Sequence, residues 1–359
     1  MSSMPSMDQL LQEAFDKNAS DIHIKTGNSP IFRIDGELVR LEYPVVNNDE
    51  ANNMLSQITT DSDMAKFQKL MELDSSYMLG TTARFRVNAC KEDGDTRIVM
   101  RLIPVKILTI EQLELPVVLK KVAQLRNGVV LVSGPTGSGK STTLAAIINE
   151  VNETRPDHVI TVEDPLEFVH ADKKSIITQR EIGHDTLSFA NALRGALRQD
   201  PDVILIGEMR DVETVRTGLA AAETGHLVFS TLHTVNATET LHRIIDFFEP
   251  HQQEQIRKQI AGVLRAISSQ RIVPRAGGSG RCVAAEILLG TRTICEYIES
   301  GKGLKDIARL IEEGYAQYQM QTFDQALFDL YKAEKITVQT ALSFATSAKD
   351  LKLRIEGLV

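Results

Sequence analysis

No run of about eighteen uninterrupted apolar residues occurs in the 359-residue chain, so the sequence offers no ordinary membrane-spanning helix. The N-terminal stretch Met1 to Asp8 has neither a basic flank nor an apolar centre, and it does not read as an export signal. Cysteine is scarce: Cys90, Cys282 and Cys295 form no C-x-x-C pair, which excludes a thioredoxin-type motif and a four-cysteine zinc module. An odd number of thiols is what a reduced cytoplasmic chain is expected to carry. Positive charge is not in excess either. With 40 Lys and Arg against 48 Asp and Glu, the net charge of −8 disfavours a general nucleic-acid-binding surface. Internal repeats and low-complexity tracts are also missing. What remains, 42% hydrophobic and 25% charged residues, is the composition of a globular chain. Its length suggests about two to three domains.

The periodicity divides the chain into three textures. Residues 8–18 carry Leu10, Leu11, Ala14 and Phe15 at helical spacing, after which 21–24 and 31–38 alternate as strands around a Gly-Asn-Ser-Pro turn. A helical pattern over 49–71 precedes expected strands at 77–79, 83–90 and 97–103, giving a small α/β domain with a largely antiparallel sheet. Residues 104–112 lack a period, so a linker is placed at 105–112 after a domain of 1–104. Beyond Pro116, which opens a helix through Ala123, apolar strands at 129–133, 158–162, 202–206 and 227–232 alternate with helices. That alternation predicts a mostly parallel sheet covered on both faces, within a core of 113–290. The segments 270–274 and 282–288 read as a hairpin around a glycine-rich turn. Residues 291–359 read as helices broken at 301–303 and at Gly314.

The chemistry concentrates where the second texture begins. Gly134, Pro135, Thr136, Gly137, Ser138, Gly139, Lys140, Ser141 and Thr142 follow an apolar strand and open a helix. A glycine-rich turn there points backbone N–H groups at phosphate oxygens, and the helix N-terminus adds partial positive charge. Lys140 then reaches the β- and γ-phosphates, and the Ser141 hydroxyl ligates Mg²⁺. The next strand ends in Glu163 and Asp164 before Pro165, placing carboxylates where open α/β sheets bind ligands; Glu163 is the candidate for the magnesium shell. The third strand ends in Gly207 and Glu208. Glycine fills the slot where such strands usually carry the metal-binding aspartate, which leaves Glu208 as the candidate general base for an attacking water. His226 and His233 bracket the fourth strand, His233 at its carboxyl end and His226 at the other. Cations for the transition state are available from Arg84, Arg86, Arg97 and Arg101 in the first domain and from Arg194 and Arg198 in the second.

These segments, in this order, resemble the Walker A, Asp, Walker B and His boxes of the secretion-superfamily ATPases: 134–141, 162–165, 198–211 and 224–234. Residues 19–23 and 84–88 resemble the PAS-like N-terminal domain of the same proteins. Nearly the whole chain is therefore similar to the PilT/PilU branch, the motors that retract type IV pili. Segments 322–331 and 350–355 lie nearer the PilU pattern.

The resemblance implies an α/β protein with a PAS-like N-terminal domain, a RecA-like P-loop ATPase domain and C-terminal helices. It implies a homohexamer that hydrolyses ATP to ADP with Mg²⁺, peripheral at the cytoplasmic side of the inner membrane. Expected partners are a pilus platform protein and a paralogous retraction ATPase, with no nucleic acid. Glu208 becomes the catalytic glutamate and Glu163 a partner of magnesium-bound water. His226 and His233 form the His box, with His226 among the cofactor-binding residues, and Arg84, Arg86 and Arg101 are the nucleotide-facing arginines. Three readings compete: an extension or secretion ATPase, disfavoured by the missing cysteine module; a DNA translocase on the same core, disfavoured by charge; and a nucleotide-binding scaffold, disfavoured by the intact set of site residues.

Overall fold

In a computed structural model the described residues are 4–80, 83–103, 107–301 and 306–358. They divide into two compact units, one from the N-terminal part through residue 106 with Glu167–Val169, the other the rest of the chain from Ile107. Of the expected linker, residues 105–106 lie outside the described residues, as does the expected break at Gly303.

The first unit holds β1 (Asp21–Lys25), β2 (Ile31–Ile34), β3 (Glu37–Arg40), β4 (Glu72–Leu79), β5 (Ala83–Glu92) and β6 (Asp95–Ile103). Among the described residues they form one sheet ordered β3-β2-β1-β6-β5-β4, with every neighbouring pair antiparallel. Strand alternation divides its faces. On β5, Ala83, Phe85, Val87 and Ala89 are buried, while Arg84, Arg86 and Asn88 take the other face. Helix Met7–Asp16, started by a capping box of Ser6 and Gln9, contributes Met7, Leu10, Leu11 and Ala14 to that core.

Two expectations change here. The alternating run 31–38 is a hairpin turning at Asp35 and Gly36, whose φ values of 49° and 89° suit a primed turn. The helical run 49–71 is two helices, Asn48–Ser56 and Asp61–Leu70, because Thr60 and Asp63 build a second capping box.

The second unit contains β7 (Gly128–Ser133), β8 (His158–Glu163), β9 (Ile176–Glu181), β10 (Val203–Ile206), β11 (Leu227–Leu232), β12 (Leu264–Pro274) and β13 (Arg281–Leu289). Their order is β13-β12-β7-β11-β10-β8-β9, parallel throughout except for β12 with β13. Every residue of β7, β10 and β11 is buried, as a sheet covered on both faces requires. Val130 and Val132 pack on one side with Leu144 and Ile147 of helix Lys140–Thr154, and Val129 and Leu131 pack on the other with Leu193, Leu219 and Leu241. The expected hairpin is longer than its sequence signal: β12 begins at Leu264 and joins the parallel sheet through β7. Helices Phe323–Lys332, Val338–Phe344 and Ala348–Ile355 close over β12 and β13, burying Phe323, Leu327, Ala341 and Leu351 against Val273, Cys282 and Ala284.

One buried histidine sets a pH limit on this unit. Burial first, and Lys173 second, lower His170 to about 4. The unfolded chain, near the ordinary value of about 6.5, binds the extra proton that the folded chain refuses. The contribution of neutral His170 is therefore full above the ordinary value and lost as pH falls toward the folded one. Its slope is up to about 1.4 kcal/mol per pH unit. Urea titrations between pH 7 and pH 4 should show this slope in the wild type and its loss in His170→Gln; equal slopes would remove His170 as the cause.

Candidate nucleotide site

At the end of β7 the chain turns through residues 134–139 and enters helix Lys140–Thr154. Gly137 and Gly139 hold φ of 79° and 87°, in the left-handed region. A side chain at Gly134 would come within 2.7 Å of the Gln270 carbonyl oxygen, so the loop closes down on β12 only with glycine there. No side chain caps the start of helix Lys140–Thr154, which leaves its N-terminal N–H groups for a ligand. Lys140 is buried, and its Nζ donates to the carbonyl oxygens of Gly134 at 2.9 Å and Pro135 at 3.1 Å. Uncapped donors, a helix N-terminus and a buried ammonium are a donor set for a polyphosphate. Ser141 and Thr142 follow in the first helical turn, both half-buried.

The parallel register brings the other candidates to the same edge. Leu232 pairs with Ser133, so His233 emerges beside the loop, and Ile206 pairs with Ser230, so Gly207 and Glu208 emerge one strand further on. The Thr231 hydroxyl donates to the Gly207 carbonyl at 2.7 Å and Met209 N–H donates to the Thr231 carbonyl at 3.2 Å, fixing that turn. The Glu208 carboxylate lies 3.3 Å from His233 Nε2 and 2.8 Å from Arg210 Nη2. Its hydrogen bond and charge hold the Arg210 guanidinium above the usual arginine range.

Arg210 had no assigned role in the sequence; its position two residues after Glu208 was the available signal. Glycine at 207 has a local reason, since a Cβ there would sit 3.2 Å from Glu163 Cα and 3.3 Å from the Val162 carbonyl oxygen. Glu163, at the carboxyl end of β8, shares the strand face of Val159, which packs with the residues of helix Lys140–Thr154. A hydroxyl from Ser141 and a carboxylate from Glu163 are hard oxygen donors of the kind Mg²⁺ takes.

His226 is not brought to this loop. It precedes β11, at the opposite end of the sheet, where its carbonyl accepts from Gly128 N–H at 3.0 Å and its Nδ1 lies 2.8 Å from the Ala221 carbonyl oxygen. Six strand residues at about 3.3 Å each separate it from His233. Arg194 is occupied by Glu213 at 2.5 Å and Asn191 at 2.6 Å.

The family model described as type II/IV secretion system protein matches residues 2–335. The chain belongs to that family. It is 44% identical over 323 residues to a twitching motility protein of Neisseria gonorrhoeae, covering 90% of this chain and 86% of that one. It is 42% identical over 333 residues to the type IV pilus retraction ATPase PilT of Pseudomonas aeruginosa, covering 93% and 96%. A crystal structure of the pilus retraction motor PilT with bound ADP superposes with a TM-score of 0.90 at 41% identity, over 97% of this chain and 99% of that one. The α/β fold, an N-terminal domain followed by a RecA-like ATPase domain, is thus that of the secretion-system ATPases.

In the first unit the arginines form a group of their own. Arg86 and Arg101 are direct cross-strand partners on β5 and β6, and Arg84 lies two residues before Arg86 on the same face. The Arg84 Nη2 donates to the Ser76 hydroxyl at 2.8 Å, Arg86 stands 3.7 Å from Asp74, and Arg101 Nε donates to Asp21 at 2.8 Å. Burial acts to raise Asp21, but the bonds from Arg101 and Ser20 hold its carboxyl below the usual carboxylate range. No helix among the described residues is long and apolar enough to cross a membrane.

Proposed function

We propose that the chain is the subunit of a homohexameric motor that hydrolyses ATP to retract type IV pili and so drive twitching motility. It acts from the cytoplasmic face of the inner membrane on a platform protein, alone or beside a paralogous retraction ATPase. The observation that carries this reading is the common edge on which neighbouring strands β7, β11 and β10 deliver Lys140, His233 and Glu208. The relatives named as a twitching motility protein and as PilT supply the direction of the work.

In this reading residues 1–104 are the PAS-like domain, 113–290 the ATPase core and 291–359 the C-terminal helical region. The loop 134–139 with Lys140 cradles the phosphates of ATP or ADP. Mg²⁺ neutralises phosphate charge when bound, held by Ser141 with Glu163 on its water shell. Glu208 takes the proton of the attacking water, and His233 keeps the Glu208 carboxylate aimed. His226 belongs to the His box by sequence and does not contact the phosphate loop of its own chain. Arg84, Arg86 and Arg101 reach the nucleotide of a neighbouring subunit, so that phosphate charge favours closure of one subunit on the next and hydrolysis releases it. Arg86 is held by an exposed pair with Asp74 of the kind worth about 0–1 kcal/mol, so exchanging it for phosphate is inexpensive; Arg101 holds the buried Asp21, whose carboxylate keeps Arg33 at 3.8 Å when Arg101 turns away.

ATPase activity measured against protein concentration, with particle mass in the same buffer, tests this reading. Activity should rise together with a six-subunit particle. Full activity in a stable monomer would overturn catalysis across subunits, and DNA-stimulated hydrolysis would favour a translocase.

A further inference from the structure

Strand β12 touches the phosphate loop on one face and the C-terminal helices on the other, and its polar side chains do both. Gln270 is fully buried; its Nε2 donates to Thr143 Oγ1 at 2.8 Å, in the first turn after Lys140, and its carbonyl oxygen lies under Gly134. One residue on, Arg271 takes the opposite face. Its Nη1 donates to the Phe344 carbonyl oxygen at 2.6 Å, at the end of helix Val338–Phe344, and its guanidinium stacks 3.8 Å from the Phe323 ring centroid. The next residue after that ring, Asp324, accepts from the Thr346 and Ser347 N–H groups at 2.6 and 2.9 Å. Arg271 thereby contacts two of the three helices that close over β12 and β13, and Asp324, beside its stacked ring, holds the turn between the second and the third.

The same face of β12 leads toward the catalytic edge. Ser269 Oγ lies 2.8 Å from Ser133 Oγ, the last residue before the phosphate loop; Thr240 donates to Ser133 at 3.1 Å, and Thr234, which follows His233, lies 2.7 Å from Thr240. Glu286, opposite Ser269 on β13, accepts from Ala237 N–H at 2.7 Å and attracts Arg271, as Asp324 does from the helical side. Apolar residues of similar volume would hold helices to a strand at least as firmly. The successive residues Ser269, Gln270 and Arg271 instead reach Ser133, Thr143 and the C-terminal helices in turn, so that the strand joining them gives the helices a defined position relative to the phosphate loop.

We infer that Arg271 is a positioning residue through which nucleotide occupancy of the phosphate loop and the order of the C-terminal helices are coupled. The inference rests on the nucleotide-binding reading of residues 134–142. Coupling is reciprocal: whatever factor ADP adds to the order of the helices, the ordered helices add to ADP affinity.

Hydrogen exchange of the full-length protein, with and without Mg·ADP, tests it at the Thr346 and Ser347 amides. In the wild type ADP should slow exchange there by about fivefold or more. In Arg271→Gln exchange should be faster, insensitive to ADP, and accompanied by a rise of the same factor in the Kd for ADP. A purely structural role would speed exchange yet leave the ADP response intact, and that result overturns the inference. So does a wild type that binds ADP without any change at these amides. Failure of the wild type to bind ADP at all overturns the nucleotide reading and the coupling with it. Should Arg271→Gln not fold, Phe323→Leu decides: it removes the ring beneath the guanidinium while keeping an apolar side chain, and a reduced ADP response supports the coupling whereas an unchanged one overturns it.

Discussion

Replacing Glu208 with glutamine should lower ATP turnover by about 10²- to 10⁴-fold, with the Kd for Mg·ADP nearly unchanged. The amide keeps the size of the side chain and still accepts from Arg210 and His233, so the strand-end geometry of 2.8 and 3.3 Å survives. What it loses is the anionic oxygen that takes a proton. In the proposed reading nucleotide affinity is set elsewhere, by the loop after β7 and the buried Lys140, whose Nζ donates to Gly134 and Pro135. The Glu208–Arg210 pair does not oppose the role. Arg210 is 62% exposed while Glu208 is 17% exposed, so the guanidinium can swing into solvent and leave the carboxylate to a water. Single-turnover hydrolysis and equilibrium binding on the same preparation separate the two quantities. Turnover within about threefold of wild type, a loss far below the general-base range, would move the base to another carboxylate, Glu163 first.

This site was legible because its information is local. Glycines that accept positive φ, a lysine and a hydroxyl must follow one another within a single turn, and an apolar strand before them and a helix after them are visible in any short window. Parallel strands then project their ends to one edge, so Glu163, Glu208 and His233 could be assigned a side of the sheet before their distances were known.

The illegible parts depend on partners remote in sequence. Strand β9 has no apolar period, because it is an edge strand with Ile176 exposed and Thr178, Gln179 and Arg180 only half-buried. The start of β12 at Leu264 has no turn residue before it, since helix Gln253–Val263 runs directly into the strand. The polar side chains of Ser269, Gln270 and Arg271 look like a weak strand by composition; only the packing of the phosphate loop on one side and the C-terminal helices on the other explains them. Position 207 shows the same limit: glycine there reads as a missing metal ligand, whereas the close backbone of Glu163 supplies the steric reason.

Arg155→Ala should cost about 3–5 kcal/mol of unfolding free energy, at the end of the sheet farthest from the chemistry. Arg155 caps the C-terminal end of helix Lys140–Thr154, and its guanidinium is 2.5 Å from Asp157, each side chain 4% exposed. It also donates to the carbonyl oxygens of Ala123 at 2.7 Å and Leu125 at 2.6 Å, joining helix Val118–Ala123 to the start of β8. Alanine would strand a buried carboxylate and two carbonyls, and the cost of those unpaired groups exceeds what the intact ion pair contributes. Arg126, 3.5 Å from Asp157 but 74% exposed, is placed to compensate for the charge. A loss below about 1 kcal/mol, the scale of a single ordinary hydrogen bond, would mean that Arg126 does so. The double variant Arg155→Met with Asp157→Asn separates pairing from packing, because it removes both charges and nearly keeps the volume. In urea titrations it should regain the share of the loss due to the stranded carboxylate, while the Ala123 and Leu125 carbonyls stay unpaired, with Kd for Mg·ADP unchanged in both variants, since the proposed phosphate donors lie at the other end of helix Lys140–Thr154.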